Sequence, residues 1–151
     1  MTVHDRLREL GIHLPTPATP AGSYTPTART GNLLFTAGQL PFVDGLLPAT
    51  GRVGAEVSPE DAKDYARQSA LHVLAAVEAA VGLDNVERVV KVVGFVASAA
   101  GFTGQPGVIN GASDLFFEVF GEAGRHARSA VGVAELPLGA PVEVEAILQV
   151  H

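Results

Sequence analysis

Apolar and polar residues recur with two different periods along this chain, and the changes of period mark its elements. Residues 4–12 place Leu7, Leu10 and Ile12 on one side of a short amphipathic helix. Pro15, Pro17 and Pro20 then force an extended crossing segment, because a helix cannot continue through that spacing. Residues 23–29 and 32–40 read as strands joined by the turn residues Thr30-Gly31-Asn32. The apolar run Leu33-Leu34-Phe35 makes the second an inner strand. Residues 42–57, broken by Gly45, Pro48, Gly51 and Gly54, read as a surface loop.

Ser58-Pro59-Glu60-Asp61 is a helix start: an N-cap, a proline at the first helical position, and acids that complement the dipole. The helix is predicted to reach Val81 and stop at Gly82, burying Ala62, Tyr65, Ala66, Ser69, Val73, Ala76, Val77 and Ala80. His72 falls on its predicted surface. The β-branched run within 86–97 predicts a central strand. Pro106–Phe120 predicts a second long helix, and residues 129–135 and 142–150 predict two closing strands, joined by a hairpin-like return over Leu136-Pro137.

After the first short helix the order is ββαβαββ, an α+β fold with two helices on one face of a mixed sheet. The strands are apolar on both sides, so the other face needs a cover, and a partner subunit supplies one. The length, 151 residues, fits one domain, and 47% of it is apolar. Residues 1–20 read as an N-terminal extension and 21–151 as a single domain.

Net charge is −6, and the ten Lys and Arg form no run. This disfavours nucleic acid as a partner, because phosphate neutralisation supplies most of that affinity. There is no cysteine, which excludes disulfides, thiolate catalysis and cysteine-bound zinc. The five histidines, His4, His13, His72, His126 and His151, lack metal-ligand spacing, so no metal and no cofactor is expected. The first ten residues mix charges with apolar side chains and have no signal-peptide core, and no apolar run approaches a membrane span. A cytoplasmic protein with no membrane partner is expected.

Candidate chemistry gathers near the C-terminus. Arg128 stands among small and apolar residues, and its guanidinium, always charged, needs an anionic partner. That partner is either a ligand carboxylate or an internal one from Glu118, Glu122 or Glu143. Glu143 and Glu145 are two apart on a strand and share a face. They form either a solvated surface or, beside an apolar pocket, a carboxylate able to orient or activate water. Tyr24 either walls a pocket or simply packs. Asn110, in an apolar helical stretch, braces helix to strand or meets a ligand. His126, two residues from Arg128, stands at the edge of the same region.

Several segments in order resemble the RidA/YjgF family of reactive-intermediate deaminases. They are Gly22-Ser23-Tyr24, Gly31-Asn32-Leu33-Leu34-Phe35-Thr36-Ala37-Gly38-Gln39-Leu40-Pro41, Ala66-Arg67-Gln68, Asn110, Ala127-Arg128-Ser129-Ala130-Val131 and Val142-Glu143-Val144-Glu145-Ala146-Ile147. The resemblance implies a chorismate-mutase-like fold and a homotrimer with a pocket at each subunit interface. It implies hydrolysis of 2-imino or enamine acids to 2-keto acids and ammonia. In that picture Arg128 clamps the substrate carboxylate, Gly38 and Asn110 help hold the substrate, Tyr24 lines the pocket from the adjoining subunit, and Glu143 positions water. Ala130 lines the pocket where a cysteine is common, and Ala37 stands where a serine is common. With its extension and its long 41–57 loop the chain is similar to a longer branch that carries an endoribonuclease label. A small carboxylate-bearing metabolite is the expected ligand. The rival readings are a non-catalytic metabolite-binding trimer and, less favoured by charge, a ribonuclease.

Overall fold

In the computed structural model, which describes residues 1–20 and 22–151, three helices and five strands follow one another as α1, β1, β2, α2, β3, α3, β4, β5. They are α1 (Val3–Leu10), β1 (Thr27–Thr30), β2 (Leu33–Thr36), α2 (Pro59–Ala80), β3 (Val86–Ala97), α3 (Gln105–Phe120), β4 (Ala127–Val133) and β5 (Val142–Val150). Ala21, named above at the domain boundary, lies outside the described residues.

The strands form one mixed sheet in the order β1-β2-β5-β3-β4. All neighbours are antiparallel except β3 and β4, which run parallel. The crossover between that parallel pair is α3, as a parallel connection requires. The hairpin-like return expected between the last two strands is therefore corrected: β4 and β5 lie on opposite sides of β3 and do not pair. No feature of Leu136-Pro137 distinguishes a tight hairpin from a wider passage across one intervening strand.

The long helices follow their sequence signals. Ser58 caps α2, its Oγ accepting from the Asp61 amide at 3.1 Å. Helices α2 and α3 cover one sheet face and bury Leu34, Leu74, Ile109, Leu115, Phe116 and Leu148 between the layers. The buried stripe of α2 is wider than predicted. It includes Ala70, Leu74 and Ala75, while Tyr65 is half-buried and Ala80 exposed. His72 is a correction as well: it is buried, because the 41–57 loop folds over α2 and the Phe42 carbonyl meets His72 Nε2 at 2.8 Å. The same loop sends Val53 and Val57 into the core.

Helix α1 is anchored to the rest of the chain. Leu7 enters the core, Arg6 Nε donates to the Glu118 carbonyl at 2.9 Å, and His4 sits between Asp84 and Glu78 at 2.8 and 3.0 Å. Asp84 first and Glu78 second raise the His4 pKa by hydrogen bonding to it. Among the described residues no helix is long and apolar enough to cross a membrane.

The other sheet face carries Leu33, Phe35, Val93, Phe95 and Ile147, with Phe35 38% exposed and Val131 at the edge 43% exposed. An apolar band of this kind on a sheet is a surface that usually serves association.

Helix α2 approaches α3 closely at Gly111, where a Cβ would lie 2.0 Å from the Lys63 carbonyl oxygen. Backbone cannot yield as a flexible side chain does. Gly111→Ala is expected to cost about 1–3 kcal/mol by forcing the helices apart. Gly107→Ala, on the same helix but with open space around the new methyl, is expected to be neutral or stabilising by up to about 1 kcal/mol. Thermal unfolding followed by circular dichroism separates the two; equal midpoints would show that the approach is not tight.

Candidate active site

The pairing of β3 decides where each candidate side chain points. Arg128 is opposite Val92 in the parallel β3–β4 pair, and Val92 is buried under the helices. Residues opposite one another in register share a face, so Arg128 lies on the helix side. Its Nη1 donates to Oδ1 of Asn110 at 2.7 Å and to Oγ of Ser113 at 3.2 Å, both on α3. Ala130, two residues on, packs half-buried against the core. Asn110 thus serves as a helix–strand brace for the arginine.

Among the described residues no carboxylate pairs with Arg128. Glu118 is taken by Arg67 at 3.0 Å and Glu122 by Arg125 at 3.0 Å. Glu143 is on the far face of the sheet. The internal ion pair weighed from the sequence is absent for all three acids named there. The guanidinium opens on a cleft of about 450 Å³ that Phe117, Arg125 and His126 also line. Burial lowers the His126 pKa, and Arg128 lowers it further, while a hydrogen bond with the Ala127 carbonyl opposes them. Arg128 and Arg125 line the cleft against one carboxylate, Asp114, and a guanidinium so placed suits a small carboxylate ligand.

Along β5 burial alternates strictly, and Glu143 and Glu145 both point away from the helices. Glu143 faces a second cleft, of about 590 Å³, with Tyr24 and Gly38. Gly38 is held there because Gln39 pairs with Val144 on β5, its amide donating at 2.8 Å and its carbonyl accepting at 3.1 Å. A Cβ at Gly38 would lie 2.2 Å from a Glu143 carboxylate oxygen and 2.8 Å from its carboxyl carbon. The absence of a side chain at position 38 is what gives Glu143 its place. Burial pushes the Glu143 pKa up, and the Glu145 charge pushes it further. A carboxylate so placed is a better base toward water than a solvated one.

The six predicted site residues therefore fall into two groups. Arg128 lines the helix-side cleft, with Asn110 bracing it and Ala130 on the same face of β4, whereas Tyr24, Gly38 and Glu143 line the other cleft. One copy of the chain does not bring the groups together. Sequence reasoning missed Ser113, although a hydroxyl three residues after Asn110 on an apolar helix shares its face. It also missed Leu138, which lines the Glu143 cleft and had no periodic signal.

Comparison with known proteins gives this arrangement its family. The family model described as "YjgF/chorismate mutase-like, putative endoribonuclease" matches residues 4–147. Protein TCP17 of Trypanosoma cruzi is 48% identical over 147 residues, covering 96% of this chain and 92% of that protein. The 2-iminobutanoate/2-iminopropanoate deaminase of Escherichia coli strain K12 is 38% identical over 126 residues, 83% of this chain and 86% of that protein. A crystal structure from Shewanella oneidensis, described as a "putative endoribonuclease", superposes with a TM-score of 0.96 at 30% identity, over 99% of this chain and 100% of that one. The chain belongs to the RidA/YjgF family.

The raised Glu143 pKa has a consequence for stability. The folded state holds the proton more tightly than the unfolded chain, so ionised Glu143 destabilises the fold, and this penalty grows as pH rises through and above the glutamate range. Glu143→Gln is therefore expected to unfold at a higher temperature than the parent at pH 7. The gap should close as pH falls below about 4. A midpoint difference that does not change with pH would show that burial of the carboxylate is not its cause.

Proposed function

We propose that this protein hydrolyses small 2-imino or enamine acids to 2-keto acids and ammonia, in a pocket completed by a neighbouring copy within a homotrimer. The observation that carries this reading is the unpaired Arg128 guanidinium, held by Asn110 and Ser113 with no protein carboxylate among the described residues to neutralise it. The homology to a 2-iminobutanoate/2-iminopropanoate deaminase supports it. The uncovered apolar sheet face supports the assembly, since a second copy would cover it; the reading requires a neighbouring copy to bring its Arg128, on the edge strand β4, beside this chain's Glu143.

In this mechanism Arg128 holds the substrate carboxylate through two parallel hydrogen bonds. Glu143 takes a proton from water as the oxygen adds to the C=N carbon, giving a carbinolamine. Glu143 returns that proton to nitrogen; as the C–N bond breaks, the hydroxyl oxygen forms the carbonyl and gives its proton back to Glu143, releasing ammonia and leaving the 2-keto acid. The demand on the protein is modest. Imines already hydrolyse in water, and holding both reactants in place supplies much of the rate. No cofactor is required by these steps. The same arginine clamp without a working carboxylate would make a metabolite-binding trimer. The endoribonuclease label in the family is poorly supported here by a net charge of −6 and the absence of a basic run.

Ammonia release from an enzymatically generated imine, with the spontaneous rate subtracted, tests the reading. Glu143→Gln is expected to lose at least about tenfold in turnover and to keep ligand affinity within a few-fold. Glu145→Gln should do much less. Arg128→Lys is expected to fold normally and lose at least about tenfold in 2-keto acid affinity, because a point charge lacks the planar fork. Equal turnover of Glu143→Gln and the parent, with binding intact, would make the protein a binder. Cleavage of RNA without imine turnover would favour the ribonuclease. Light scattering is expected to give three times the chain mass, and a monomer mass would remove the shared pocket.

A further inference from the structure

The Glu143 cleft contains a residue that neither the catalytic reading nor the packing of the core uses. Leu138 has φ 60° and ψ 13°, in the left-handed region that L-residues with a Cβ rarely adopt. Asp44, at φ 51°, is the other described non-glycine residue with positive φ, and a short polar side chain tolerates that conformation. A leucine does not share that tolerance. Leu138 is also 71% exposed, so its strain is not compensated by burial. The loop Pro137–Gly139 holds a large apolar side chain in a costly backbone conformation at the wall of the cleft. Such outliers concentrate at ligand-contacting positions.

Most of the wall is apolar too, with Thr19, Thr25 and Gln39 as its neutral polar members. Pro20, Tyr24, Leu40 and Phe42 line the cleft with Leu138, and among the described residues Glu143 is the one charged side chain there. We propose that Leu138 determines specificity at this site, and that the preferred substrates are 2-imino acids with a branched or aromatic apolar side chain. This inference rests on the imine-hydrolysing reading. With the substrate carboxylate at Arg128 and the imine carbon near Glu143, the side chain extends along the Leu138 wall. A short side chain leaves that wall in contact with water. An acidic side chain meets the Glu143 charge, and among the described residues this chain adds no cation to the cleft to offset it.

Titration calorimetry of the assembled protein with three 2-keto acids, the products of such imines, tests this without relying on turnover. We expect 4-methyl-2-oxopentanoate to bind about tenfold or more tightly than pyruvate, and 2-oxoglutarate to bind most weakly. Leu138→Ala should erase most of the first difference, weakening 4-methyl-2-oxopentanoate far more than pyruvate, at an unchanged mass by light scattering. Leu138→Gly should raise the thermal midpoint by relieving the strained backbone, yet lose the same discrimination, which a purely structural role does not predict. Equal affinities, or tightest binding of 2-oxoglutarate, would overturn the inference and leave the hydrolase reading standing. Discrimination retained in Leu138→Ala, or a changed mass with discrimination retained, would also overturn it. Failure of all three acids to bind, together with no acceleration of any imine, would overturn the inference and the hydrolase reading together.

Discussion

Strand β3 runs between β4 and β5, parallel to one and antiparallel to the other, and the functional groups take their side of the sheet from that pairing. Arg128 inherits the helix side from Val92, and Glu143 inherits the far side from Phe95. A one-residue slip of either strand would reverse its side chains. The slip is prevented from both directions. Val92, Val144 and Ala146 must be buried under the helices, and Gln39 locks β5 to the 37–40 segment through two backbone hydrogen bonds.

The two clefts differ in how they are prepared. On the helix side, α3 presents Asn110 and Ser113 to one nitrogen of the guanidinium, which fixes its direction without neutralising its charge. On the other side the preparation is steric. Gly38 leaves a space that the Glu143 carboxylate fills, and the resulting burial raises its pKa. An ion pair between Arg128 and Glu143 inside one chain would stabilise both charges and blunt both proposed roles. Placing them on opposite faces keeps the guanidinium available to an anion and the carboxylate available to water.

The N-terminal segment belongs to the same physical picture. Helix α1 is tied down by Leu7, Arg6 and His4, and the proline-spaced chain after it reaches the Glu143 cleft through Ala18, Thr19 and Pro20. Proline limits the freedom of that stretch before any contact forms, so ordering it along the cleft costs less than ordering an ordinary loop.

Local sequence determined a good deal here. The Ser58-Pro59 start, the span of β3 and the alternation of Glu143 and Glu145 with valines depend on capping, β-branching and period two, which act between near neighbours. The motif residues around Gly38, Arg128 and Glu143 also identified the family. Only the tertiary structure decided that β4 and β5 flank β3 and do not form a hairpin, that His72 lies under a loop, that Arg128 pairs with no acid among the described residues, and that Leu138 stands strained over the cleft. Each of these is set by contacts between segments far apart in the chain. Burial, charge pairing and backbone strain at such points are settled by the packing of the whole chain, and local pattern carries no record of it.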